Sequence, residues 1–199
     1  MLYALFLAEA KLIRRDSLSV VDLSNEFSFS KLRKRGIQKA IKLGLEIREE
    51  TEFDSFWNKI LIPNLAERHN AKPVHSVEEI TQLKKDFPAN IRQFNVYSQG
   101  KIVAGTTVFE TETVAHCQYI SKFEKGENLG SLDFLYDYLI YKKFAKKHFF
   151  DFGVSNEDQG KKLNEGLCFW KESFGASTVV QDFYEVETIN HSKLENVFV

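Results

Sequence analysis

The chain has 199 residues, 43% of them apolar and 28% charged, with a formal net charge of −1. That length fits one domain, or one domain with a piece of another, and the composition excludes a disordered or fibrous chain. The near-zero charge also excludes a bulk field that would draw nucleic acid to the whole surface. Eighteen Phe against a single Met imply a core of rigid aromatic rings. Cys117 and Cys168 stand apart, in no Cys-x-x-Cys pair, so neither a zinc nor a redox motif is visible. Both lie in apolar runs and are expected as buried thiols in a reducing, cytoplasmic setting.

In chain order, Leu2 to Leu7 and Leu18 to Leu23 read as short strands. The first of these runs is too short to span a bilayer and lacks the features of a signal peptide. Ser30 can cap a helix through about Leu43, with Gly44 as its stop and a basic outer face of Lys31, Arg33, Lys34, Arg35, Lys39 and Lys42. A solvated helix face explains such a run of charge, and phosphates of a partner are the alternative. Leu45 to Arg48 reads as another strand. Phe53, Phe56, Trp57, Ile60 and Leu61 mark a helix interrupted or ended near Pro63. Ser76 and Glu79 form a capping box that opens a second helix, closed by Pro88.

Ile91 to Tyr97 and Lys101 to Phe109 are strands joined by the turn Ser98-Gln99-Gly100, and Thr113 to Ser121 is a third strand. A helix from Gly130 to Lys147 follows, then a strand at Phe149 to Phe152. Leu163, Leu167, Trp170 and Phe174 line one face of a last helix, ended by Gly175, and Thr178 to Val186 is a closing strand. From Phe53 the order is ααβββαβαβ, an α+β fold with a mixed sheet: an antiparallel meander runs into a β-α-β unit with a parallel pair.

The stretch Lys125-Gly126-Glu127-Asn128-Leu129-Gly130-Ser131 lies between the third strand and the long helix. Small residues there let backbone N–H groups approach an anion, and the helix N-terminus adds partial positive charge. A pyrophosphate seat is expected, formed by Lys125, Gly126, Asn128, Leu129, Gly130 and Ser131.

This order and this loop resemble the GNAT acyltransferase fold over about Phe53 to Val186. Lys125 to Ser131 resembles that family's glycine-rich pyrophosphate loop, with Asn128 where glycine is usual. Phe169-Trp170-Lys171-Glu172-Ser173-Phe174-Gly175 resembles its conserved helix end, with Trp170 in place of the tyrosine that often protonates a leaving thiolate. Arg33 to Ile47 looks like the linker of FemAB- and CelD-type acyltransferases, which hold two GNAT-like halves. Asp151 to Glu157 and Asn164 to Leu167 are similar to segments of a FemAB-like branch.

The resemblance implies two parts. Residues 1–50 would be a segment with a basic helix, a remnant of or linker from a first half, and 51–199 a GNAT-like domain. It implies transfer of an acyl or aminoacyl group from acetyl-CoA, another acyl-CoA or an aminoacyl-tRNA to an amine, without a metal. The acceptor would be a small molecule or cell-wall precursor, in a cytoplasmic bacterial protein with no membrane span. A homodimer is compatible with it. The alternative is a catalytically inert GNAT-like module that binds a ligand or partner.

Transfer to an amine needs a polarised carbonyl and a proton acceptor. Strand alternation puts Glu112, Val114, His116, Gln118 and Ile120 on one face. Glu112 resembles in position the glutamate base of some GNAT enzymes, and its plainer reading is a solvated strand-end carboxylate. His116 is the alternative base, since imidazole titrates near neutrality, or a hydrogen-bonded core histidine. Tyr184 could supply the missing hydroxyl or be a half-buried strand residue. Asn156 resembles a contact to the pantetheine arm, or is a turn-former. Asp151, between aromatics, must be paired if buried.

Overall fold

A computed structural model describes residues 2–122, 128–195 and 197. Its frame is a seven-stranded sheet. The strands are β1 (Lys11–Asp22), β2 (Glu46–Glu50), β3 (Ile91–Ser98), β4 (Lys101–Glu110), β5 (Val114–Lys122), β6 (Phe149–Val154) and, after a small hairpin of β7 (Asn156–Glu157) and β8 (Lys162–Leu163), β9 (Ser177–Glu185). The order across the sheet is β2-β3-β4-β5-β6-β1-β9. Every neighbouring pair is antiparallel except β5 and β6, the expected parallel pair.

Helices cover both faces. On one lie α2 (Lys31–Lys42), α6 (Ser131–Tyr138) running into a π-helical turn at Leu139–Lys143, and α7 (Glu165–Glu172). Their core joins Ile37, Leu135, Tyr136 and Phe174 to the sheet residues Val96, Val108, Cys117, Phe150 and Phe152. On the other lie α3 (Asp54–Phe56), a π-helical turn at Trp57–Leu61, α4 (Ile62–His69) and α5 (Val77–Asp86). Phe53, Phe56, Trp57, Ile60 and Ile80 form that second core with Ile91 and Tyr119. The Phe-rich composition is thereby used twice, in two aromatic layers separated by the strands.

Local chemistry explains most boundaries. Ser30 caps α2, its side chain accepting from the Arg33 amide. Ser76 and Glu79 make the reciprocal capping box of α5, with Ser76 N–H donating to Glu79 at 2.7 Å. Gly100, at φ 74°, closes the β3–β4 hairpin in the left-handed region that Gly tolerates.

Three expectations are corrected. Leu2–Leu7 is a helix, α1, with none of its residues buried: a short apolar run does not distinguish strand from helix, and Leu and Ala favour helix. The strand expected at Leu18 begins at Lys11 instead, because Arg14 and Arg15 find carboxylate partners in Asp16 and Asp182. The interruption expected near Pro63 is the π-helical turn at Trp57–Leu61, after which α4 carries Pro63 in its first turn. The helix expected to reach Lys147 stops after the π turn at Lys143. The boundary at residue 50 marks no break in the sheet: β1 and β2 lie before it, and β1 is hydrogen-bonded between β6 and β9.

Candidate functional site

The parallel pair supplies the site. β5 and β6 stay in register over only three positions, Val114 with Phe149, Ala115 with Phe150, and His116 with Asp151. At this point β5 carries a bulge. Thr107 of β4 faces Tyr119, but the next residue, Val108, faces Cys117, so Gln118 is the extra residue. The bulge breaks the alternation expected from sequence. Ile120 turns to the α6 side with Cys117, and Tyr119 turns to the second core. The two strands part there, leaving an open cleft of about 370 Å³, walled among others by His116, Gln118, Phe152, Leu167, Lys171 and Gln181.

His116 and Lys171 both wall that cleft, and Asp151 backs His116. His116 Nδ1 lies 2.7 Å from Asp151 Oδ2, and its Nε2 lies 3.3 Å from Gln118 Oε1. Asp151 is fixed in turn by the Gly153 N–H, which donates to its Oδ1 at 2.7 Å. A carboxylate on Nδ1 orients the ring and leaves Nε2 as the nitrogen that exchanges a proton. The third group is Lys171, only 2% exposed. Its Nζ donates to the carbonyls of Gly153, at 3.0 Å, and Val154, at 2.5 Å. Burial pulls its pKa down to about 8 against the pull of Asp151. Below that pH it is an ammonium in a largely apolar cleft, held by carbonyls, and it attracts a developing negative charge.

Lys171 was legible in principle. It sits four residues after Leu167 and three before Phe174, on the apolar face of α7, where a cation is out of place. The family resemblance includes it only as one residue of the Phe169 to Gly175 motif.

The other expected residues lie elsewhere. Glu112 is exposed in the β4–β5 turn, before β5 begins, and does not wall the cleft. Tyr184 shares a β9 face with Asp182, to which its hydroxyl donates at 3.2 Å, while Gln181 occupies the opposite face. Asn156 is used internally. Its Oδ1 accepts from the Ser17 N–H at 2.7 Å, and its Nδ2 donates to Asp16 at 3.1 Å, tying β7 to β1. Trp170 stacks edge-on against Tyr136, Phe152 and Phe174 in the aromatic core.

The expected pyrophosphate corner is only partly described: Lys125 and Gly126 lie outside the described residues. Its described half is occupied. The Gly130 N–H donates to Asn128 Oδ1 at 3.1 Å. Gly130, at φ 72°, packs so closely on α2 that a Cβ would overlap the Gly36 carbonyl, and a Cβ on Gly36 would overlap Asp133. Asp133 pairs with Arg33 at 2.5 Å. Leu129 packs against the first core, and Ser131 is fully buried. Among the described residues, no group of three His, Cys, Asp or Glu could hold a metal ion, and no helix is long and apolar enough to cross a membrane.

No protein-family model matches the sequence, and no curated protein does. Solved structures do match. FemX aligns with a TM-score of 0.71 at 12% identity, over 94% of this chain and 68% of its own. The chain has a FemAB-like GNAT fold. L-PGS from Bacillus licheniformis aligns with a TM-score of 0.64 at 16% identity, over 88% of this chain and 60% of its own. A domain described as the C-terminal part of a lysylphosphatidylglycerol synthetase from Agrobacterium fabrum aligns at 0.63 and 14% identity, over 92% and 63%. The chain therefore spans about two thirds of the length of these proteins.

Proposed function

We propose that the chain transfers an acyl or aminoacyl group to an amine in the cleft where β5 and β6 part. The observation that carries this reading is the buried Lys171 ammonium beside the His116–Asp151 pair, in one cleft. An acceptor amine attacks the donor's carbonyl carbon and a C–N bond forms. The carbonyl oxygen becomes an oxyanion opposite Lys171 Nζ. His116 Nε2 takes the amine proton, directly or through a water, and returns it to the leaving oxygen as the old acyl bond breaks. Phe152, Leu167 and Leu18 keep the cleft apolar, which strengthens the ammonium's pull on the oxyanion.

Of the two donor classes, an aminoacyl ester on RNA fits better than an acyl-CoA. The Gly130 amide is already used by Asn128, and α2 leans on the start of α6. A carrier of another shape is favoured by α2 itself. The outward arc of this helix carries Lys31, Lys34, Arg35, Lys39 and Lys42, all exposed. Among the described residues none of them has a carboxylate within ion-pair distance. The stripe runs about 17 Å along the helix and suits a polyphosphate backbone. The name of the lysylphosphatidylglycerol synthetase specifies an aminoacyl-lipid product, and an aminoacyl donor is the part of that chemistry proposed here. A cell-wall precursor or small-molecule amine remains the acceptor, in a cytoplasmic setting.

The test is a transfer assay with aminoacyl-RNA minihelices and with acetyl-CoA, each against a panel of amines. Transfer from the minihelix, weakened by Lys31→Glu with Lys39→Glu and by added salt, supports the reading. Transfer from acetyl-CoA alone assigns the other donor class. No transfer from either, with tight binding of one, supports the runner-up, an inert module of the same fold.

A further inference from the structure

The outer edge of the sheet carries an inference independent of the transfer chemistry. β9 is the last strand after β1, and nine residues long. Among the described residues none hydrogen-bonds to its free side. Natural sheets blunt such an edge with Pro, a bulge or an inward charge. β9 has no Pro, and its residues pair with β1 from Ser177 to Glu185, the one register shift falling at Ile13 of β1. Instead it exposes apolar side chains on both faces: Val179 at 49%, Val180 at 54% and Phe183 at 37%.

We propose that β9 pairs antiparallel with β9 of a second copy of this chain, about a two-fold axis through Gln181. Identical strands that close a two-fold dimer edge to edge must run antiparallel. Paired residues must point to the same face, which leaves registers centred on a residue rather than between two. Centring on Gln181 sets Val179 opposite Phe183 of the second copy, twice, on the cleft side. It sets Val180 opposite Asp182 and Thr178 opposite Tyr184 on the other side. No like charges face each other, and Asp182 keeps its ion pair with Arg15 at 2.6 Å within its own sheet. Centring on Val180 would instead oppose Phe183 with Ser177 and Val179 with Gln181, losing the Val179–Phe183 match that the Gln181 register makes at the cost of Val180 opposite Asp182. Gln181 is also part of the cleft wall, so the second copy extends that wall with its own Val179 and Phe183.

Sedimentation analysis of the full chain and two variants at Val180 tests the register. Val180 faces away from the cleft, so neither variant touches the transfer site. The wild type is expected to be a dimer. Val180→Glu places a carboxylate opposite Asp182 twice and should weaken the dimer by about tenfold or more. Val180→Lys places a cation there and should keep or tighten it. Gln181→Cys should form an intermolecular disulfide on mild oxidation, because directly opposed residues in an antiparallel pair lie about 4.5–5.5 Å apart at Cα. The wild type, whose Cys117 and Cys168 are buried, is the control. A monomeric wild type overturns the proposal. A dimer indifferent to Val180→Glu, or one without the Gln181→Cys cross-link, overturns this interface.

Discussion

The cleft beside β5 and the corner that follows it lie within a few residues of each other and are built in opposite ways. In the cleft, a bulge at Gln118 and the parting of β6 hold backbone and side chains away from one another, and the Lys171 side chain, its ammonium held by two carbonyls, forms part of the wall. At the corner, glycines let two helices touch, and Asn128 takes the Gly130 amide. Space is kept where a reacting group would sit and removed where the two helices meet. The comparison teaches that a glycine-bearing loop before a helix does not by itself mean an anion seat. The same small residues serve equally for close helix packing.

The largest expected effect breaks the corner. Gly130→Ala puts a Cβ into the Gly36 carbonyl and forces a left-handed residue other than glycine, so it should cost about 3 kcal/mol in urea unfolding. An open corner would cost only the left-handed strain, about 1 kcal/mol.

A comparable effect sharpens the cleft. Lys171 holds its proton to about pH 8 folded and to its ordinary 10.5 unfolded. Below pH 8 both states are protonated and the folded state carries the full burial penalty. Between about 8 and 10.5 only the unfolded state holds the proton, so stability rises with pH, by about 3 kcal/mol in all. Cys117, pushed up to about 12 by burial, opposes this above pH 9. The difference between wild type and Lys171→Met isolates the lysine: the wild-type curve should climb relative to the variant across that window. Parallel curves would mean that the amine is solvated.

The smallest effects concern residues outside both places. Glu112→Gln and Tyr184→Phe should each leave the transfer rate within about twofold of wild type. A large loss for either would move the chemistry away from the β5–β6 cleft.

Sequence signals governed by neighbours in the chain were readable: the Ser30 cap, the Ser76–Glu79 box, the Gly100 hairpin and the parallel β-α-β unit. Those set by distant partners were not. β1 depends on β6 and β9, over a hundred residues away, and the charges Arg14 and Arg15 obscured it until Asp182 came alongside. The Gln118 bulge has no local signature, yet it decides which β5 side chains reach the cleft. Of the proposed proton acceptors, His116 falls in the cleft and Glu112 does not, because β5 begins only at Val114 and the strand's alternation does not reach Glu112.

The central claim is that Lys171 stabilises the oxyanion of transfer in this cleft. Single-turnover transfer by Lys171→Met, with donor affinity measured alongside, tests it most directly. The account predicts a rate lowered by about 100-fold or more, with donor binding little changed and a wild-type rate that falls as pH rises through about 8. A variant that transfers at the wild-type rate contradicts it.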